Sequence, residues 1–241
     1  MSDPGVPVIA IDGPSGSGKG TISQIVAENL GWNFLDSGAL YRLIALAAEQ
    51  RGVDLDDGEE LARLATHLNA RFISNAGSAQ SNPSAVEACV MLDARDVTQL
   101  LRSQACAEAA SRVAALPQLR AALLERQRAF RRPPGLVADG RDMGSVVFAD
   151  AALKIFLTAS VEQRAQRRYK QLINKGINAD IRTLEAELAA RDARDSGRSI
   201  APLKPAPGAI KIDSSTLSIQ EVVLLILSLW QNTQFQQNTL S

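Results

Sequence analysis

Gly13, Pro14, Ser15, Gly16, Ser17, Gly18, Lys19, Gly20 and Thr21 stand in a row, and their spacing suits a loop that cradles a polyphosphate. Glycines let backbone N–H groups turn inward around a phosphate with no Cβ in the way. A helix opening just after the loop adds the positive end of its dipole. Lys19 supplies a mobile point charge for the β- and γ-phosphates of a nucleoside triphosphate. Gly20 follows Lys19 where this loop type usually carries a hydroxyl. Contact to Mg²⁺ then passes through Thr21, through water or through the phosphates themselves. Asp139 follows the apolar run Leu136–Ala138 and is the candidate to bind the water shell of Mg²⁺. The chemistry implied is binding of a triphosphate and transfer of its terminal phosphoryl group to a small acceptor.

The neighbouring residues predict elements that can hold such a loop. Val8–Ile11 is a β-branched run stopping at Asp12-Gly13, which reads as a buried strand entering a glycine turn. Gly18–Leu30 has helical apolar spacing and Gly31 ends it. Trp32–Leu35, Leu136–Ala138, Leu153–Leu157 and Ala209–Ile212 read as further strands, and Ala39–Gln50 as a helix. This alternation predicts an α/β fold with a five-stranded parallel sheet flanked by helices. Ligands of such sheets lie beyond the carboxyl ends of the strands. The turns Asp12-Gly13, Asp36-Ser37 and Asp139-Gly140 are therefore expected to meet at one crevice.

Residues 68–103 break the pattern. Ala70–Ile73 and Ala85–Leu92 read as strands around a Ser/Asn/Gly-rich loop at Asn75–Ser84, a small β-rich insertion. The core domain is then expected at 1–67 and 104–230. Ser103–Phe130 is expected to be helical with a break at Pro117. Ser160 with Gln163 opens a helix that carries Arg164, Arg167 and Arg168. These arginines are expected on a helical lid, about 160–180, that excludes water from the reaction. A second helix spans Ile181–Ser196, Ser218 with Glu221 caps the last one, and a polar, disordered tail is expected at 231–241.

Bulk composition narrows the class. The 241 residues are 46% apolar but only 4% aromatic, so the core is built mainly from Ala, Leu, Val and Ile. Lys plus Arg equals Asp plus Glu at 26 each, which argues against a chain that grips a nucleic-acid polymer. Cys89 and Cys106 are the only cysteines, too few for a disulfide framework. The opening residues lack a basic segment followed by an apolar one. The longest apolar run, Val222–Leu227, falls well short of the ~20 residues of a membrane span. A cytoplasmic monomer without a membrane partner is expected.

Three further blocks stand in order: Asp36-Ser37-Gly38-Ala39-Leu40-Tyr41-Arg42, Ala138-Asp139-Gly140-Arg141-Asp142-Met143-Gly144, and Arg191-Asp192-Ala193-Arg194-Asp195-Ser196-Gly197-Arg198. Together with Gly-Lys-Gly-Thr at 18–21, they closely resemble the bacterial cytidylate kinases, nucleoside monophosphate kinases of the P-loop class, over about residues 8–229. The resemblance implies ATP as donor, Mg²⁺, and CMP or dCMP as acceptor. It puts the β-rich insertion in the monophosphate-binding region. It also implies that Arg42, Arg141 and Arg198 clamp the acceptor phosphate. Cytosine contacts fall on Ser111, Arg120 and Asp142, and contacts to the sugar and its neighbours on Ser37, Arg191 and Asp195. With Lys19, Arg141 and Arg198 are the expected catalytic charges. A fixed guanidinium suits a dianionic phosphate. A carboxylate facing the exocyclic amino group of cytosine would repel the carbonyl of uracil. A kinase for UMP and a slow nucleotide-hydrolysing switch are the competing readings.

Overall fold

The computed structural model describes residues 5–73, 89–174, 176–198 and 200–239. In chain order its elements begin with β1 (Val8–Asp12), α1 (Lys19–Leu30), β2 (Asn33–Asp36), α2 (Ser37–Arg51) and α3 (Gly58–Thr66). There follow β3 (Ala70–Ile73), β4 (Cys89–Leu92), β5 (Arg95–Asp96), α4 (Thr98–Leu101), α5 (Gln104–Val113) and α6 (Pro117–Arg128). The last are β6 (Leu136–Gly140), β7 (Leu153–Thr158), α7 (Val161–Ile173), α8 (Ile181–Ser196), β8 (Ile210–Asp213) and α9 (Ile219–Thr239). Two compact units result, one of residues 1–37 and 126–241, the other of residues 38–125.

The first unit is a five-stranded sheet in the order β2-β6-β1-β7-β8, parallel throughout. Central strands of such a sheet are covered on both faces and read as unbroken apolar runs. Accordingly every residue of β1 and of β6 is buried. Each fully buried isoleucine of β1, Ile9 and Ile11, contributes about 1.5–3 kcal/mol. Ile22 and Val26 of α1, with Val222, Ile226 and Trp230 of α9, complete this core. Trp230 meets Trp32 edge-on, ring centroids 5.0 Å apart at 76°.

The strands run further than their apolar runs, so Asp12, Asp36, Asp139 and Gly140 lie within the sheet. The register sets Asp12 beside Gly140 and Asp36 beside Asp139. The three polar turns meet as expected.

The second unit packs α2 to α6 with an antiparallel sheet, β3-β4-β5. Leu43, Ile44, Ala45, Ala47 and Ala48 of α2 are all buried, as a helix covered on every side requires. Segment 68–103 lies within this unit; Asn75–Ser84 and 85–88 of the expected strand fall outside the described residues. Pro117 opens α6 rather than merely breaking a helix, since a missing N–H costs nothing at a first helical position. Two elements differ from expectation. A short helix, α3, fills residues 58–66, capped by the Asp57 side chain on the Glu60 N–H. At the other end, α9 continues to Thr239, so the polar segment from Gln231 is helical rather than an unstructured tail. No helix among the described residues is long and apolar enough to cross a membrane.

Candidate active site

β1 delivers the chain to the glycine-rich loop at Gly13. A Cβ there would sit 2.0 Å from the Leu157 carbonyl oxygen, so only glycine lets the loop leave the sheet at this point. Inside the loop, the Ser17 hydroxyl donates to the Pro14 carbonyl at 3.1 Å. Lys19, the first residue of α1, is buried, and its Nζ donates to the same carbonyl at 3.2 Å. Lys19 Nζ also lies 3.9 Å from Asp139 Oδ1. Burial lowers the Lys19 ammonium to about 8, with Arg141 adding to the drop. Burial raises Asp139 to about 7 against the pull of Lys19. Burial thus disfavours both charged forms, and the two groups face each other across 3.9 Å.

Position 20 has a steric account. A Cβ there would lie 3.3 Å from Asp139 Oδ2, so a larger residue would press on this carboxylate. Asp139 Oδ1 is buried and takes no hydrogen bond among the described residues, while Thr21 is exposed. No group of three or more His, Cys, Asp or Glu capable of holding a metal occurs among the described residues. A hard dication that keeps its waters and leans on substrate phosphates, with one carboxylate behind it, fits this donor set. Asp139 and the Thr21 hydroxyl are the groups available to it.

Past β6 the backbone forms a single π-helical turn, Met143–Val147. The turn hangs from Asp12. Its Oδ1 accepts the Met143 N–H and its Oδ2 the Gly144 N–H, both at 2.8 Å. Burial raises the Asp12 carboxyl to about 6 although these two donors pull it down. Arg141 and Asp142 occupy the two positions between the strand and the turn. Asp142 is buried, and its carbonyl accepts the N–H groups of Val146 and Val147. Ser37 is buried nearby, its hydroxyl 2.7 Å from where a Cβ on Gly140 would stand.

α8 brings the third block to this place. Asp195 is 1% exposed. Its Oδ2 accepts Arg141 Nε at 3.1 Å and its Oδ1 accepts Arg198 Nη2 at 2.6 Å. Burial pushes the Asp195 carboxyl up, but Arg141, Arg198 and Arg191 outweigh it and hold it below the usual carboxylate range. One carboxylate thus aligns two guanidinium groups from different parts of the chain. Arg141 and Arg191 also weigh on the Lys19 charge, which ties this cluster to the phosphate loop.

α7 places Arg164 and Arg167 over the loop backbone. Arg164 is 3% exposed and donates to the carbonyls of Ala159 (2.9 Å) and Ser15 (3.0 Å) and to Asp192 Oδ2 (2.5 Å). Arg167 donates to the carbonyls of Ser17 and Ser214. Both guanidinium groups therefore brace the loop from behind, a role beyond that of an open lid face. Arg168 is half-buried on the same helix.

In the second unit, Arg42 on α2 donates to the Leu101 carbonyl at 3.1 Å. Arg120 on α6 donates to the Ala114 carbonyl at 3.1 Å, and Ser111 on α5 is buried. Three side chains of the first unit take parts the sequence does not announce: Asp12, Asp192 and Ser214, whose hydroxyl donates to the Ser17 carbonyl at 3.1 Å. Asp12 closes the apolar run before the loop and Asp192 stands in the block Arg191–Arg198, but their partners lie 131 and 28 residues away, and no local pattern announces such pairings.

Comparison with known proteins points to one family. The family model described as cytidylate kinase matches residues 9–232. A cytidylate kinase of Stutzerimonas stutzeri is 57% identical over 223 residues, 92% of this chain and 94% of its own length. One from Azotobacter vinelandii is 54% identical over 221 residues, covering 92% and 93%. One from Shewanella denitrificans is 53% identical over 221 residues, covering 92% and 94%.

Proposed function

The chain belongs to the cytidylate kinase family, and from that premise we propose that it moves the γ-phosphoryl group of ATP to CMP or dCMP, giving CDP or dCDP and ADP. The observation that carries the reading is the pairing, within one unit, of a buried Lys19–Asp139 couple at the phosphate loop with two arginines aligned on Asp195. The first is built for a donor triphosphate, the second for an acceptor phosphate.

An oxygen of the acceptor phosphate attacks the γ-phosphorus in line, and the β,γ-bridging oxygen departs with ADP. The attacking oxygen is already anionic, so no strong general base is needed. What the transition state requires is positioning and neutralisation of charge spread over the transferring group. Lys19 follows that charge from the donor side. Arg141 and Arg198 hold the acceptor phosphate, and Arg42 joins them by resemblance. Mg²⁺, held through water on Asp139 with Thr21 at hand, would screen the donor oxygens when bound. Arg164, Arg167 and Arg168 keep the loop in shape and water out.

Within the first unit Asp142 selects the acceptor base through the cytosine amino group; Ser111 and Arg120, in the second unit, are base contacts by resemblance to the family alone. Ser37, Arg191 and Asp195 serve the sugar side. The enzyme acts as a cytoplasmic monomer, its two cysteines free thiols.

A panel of monophosphates with Mg·ATP, followed by ADP release, tests the reading. CMP and dCMP should turn over well above UMP and AMP. Asp142→Ala should cost CMP more than UMP by about 10-fold or more in kcat/KM. Equal rates for all four acceptors would refute the assignment.

A further inference from the structure

Asp12 has no role in the chemistry above, yet its carboxylate is 3% exposed and both its oxygens are engaged by backbone N–H groups. Those groups open the π-helical turn at Met143. We propose that Asp12 is a positioning residue for acceptor selection, fixing the path of Arg141 and Asp142 by anchoring the turn that follows them. The proposal rests on the reading of those two residues as acceptor contacts.

The geometry is restrictive. β1 and β6 are neighbours in register, Asp12 opposite Gly140. The chain leaves β6 at Gly140 and is caught again at Met143 and Gly144. Only Arg141 and Asp142 lie between the two attachments, so both side chains start from a backbone held at either end. A single π-turn is a rare conformation, frequent at functional sites, and it leaves its first N–H groups without internal partners. Asp12 supplies those partners. It is also the last residue of the central strand, and the next residue begins the phosphate loop. Acceptor turn and donor loop thus share one rigid attachment. Only a carboxylate serves both N–H groups, since an Asn offers one oxygen and turns an NH₂ against the second donor.

The experiment compares the full chain with its Asp12→Asn variant in steady-state kinetics with ATP, CMP and UMP. The expected result is a KM for CMP raised about 10-fold, with the KM for ATP within about twofold of the wild type. The CMP-over-UMP ratio of kcat/KM should fall by a similar factor. A folded variant with unchanged CMP KM and unchanged ratio would overturn the proposal, and so would an equal loss for ATP. Ile226→Val, a core change in α9, should leave the ratio unaltered; if it moves the ratio as far, Asp12 is only a stabilising residue. If Asp12→Asn does not fold, hydrogen exchange on the wild type decides. The Met143 and Gly144 amides should be protected like those of β1, and exchange at open-loop rates would end the idea. A wild type without preference for CMP would instead sink the functional reading itself.

Discussion

At the scale of single residues, the site works by holding charges where water would not. Lys19 sits below its ordinary pKa and Asp139 above its own because both are buried. Lys19→Met should therefore lower kcat by about 10²–10³, the usual loss when one transition-state donor is removed. A single-turnover assay checks this. Asp12 gives a pH test. Its carboxyl rises from 3.8 to about 6 in the folded chain, so the folded state holds that proton more tightly than the unfolded one. The stability this contributes is complete below about pH 4 and is lost as pH climbs through about 6. Asp12→Asn cannot titrate there. Relative to wild type, the variant should gain up to about 3 kcal/mol between about pH 4 and pH 7. Urea unfolding of both proteins at the two ends measures it, and a constant difference would contradict the assigned burial. The sequence disclosed Lys19 and the glycines because their meaning lies in short-range spacing. It placed Asp12 at the crevice but not what Asp12 holds, because a hydrogen bond across 131 residues leaves no local trace.

Elements decide which charges can cooperate. α8 presents Asp195 so that Arg141 and Arg198 are lined up on one carboxylate. Asp195→Ala leaves two inward guanidinium groups without their shared counter-charge. It should raise the KM for CMP at least about 10-fold and cost about 3–5 kcal/mol of stability, the toll of breaking a buried ion pair on one side. Isotherms for CMP and urea melts read the two effects separately. α7 bears on the glycine-rich loop. Arg164 ties the Ser15 carbonyl to Asp192 on α8, so Arg164→Met should raise the KM for ATP more than that for CMP, by several-fold. The five strands and the main helices could be read in advance because buried parallel strands are apolar runs and helices keep their period. Their ends could not, since an aspartate that closes an apolar run still fits the ladder. The π-turn was invisible for a different reason: Met143 to Val147 has no composition of its own, and the carboxylate that accepts its first N–H groups stands at Asp12, far off in the chain. Helix α3 was missed although Asp57 caps it and Leu61, Leu64 and Ala65 face inward.

For the molecule as a whole, the described residues build two cores rather than one. The first gathers around β1 and β7 with α1 and α9, the second around α2. The sequence marked the β-rich part of the second unit by its broken alternation, but a boundary at Gly38 falls inside a continuous helix, where no linker composition exists to betray it. Trp230→Ala should cost about 3–5 kcal/mol, measured by the loss of circular dichroism in urea, because the indole is 4% exposed against Trp32. The pairing of those rings has an optical consequence. The chain has two tryptophans, and both belong to the first unit. Excited at the red edge of indole absorption, the protein emits from that unit alone. Emission and ellipticity curves that coincide would mean the two cores melt together. An ellipticity change that leaves the indole spectrum unmoved would be the second core opening on its own.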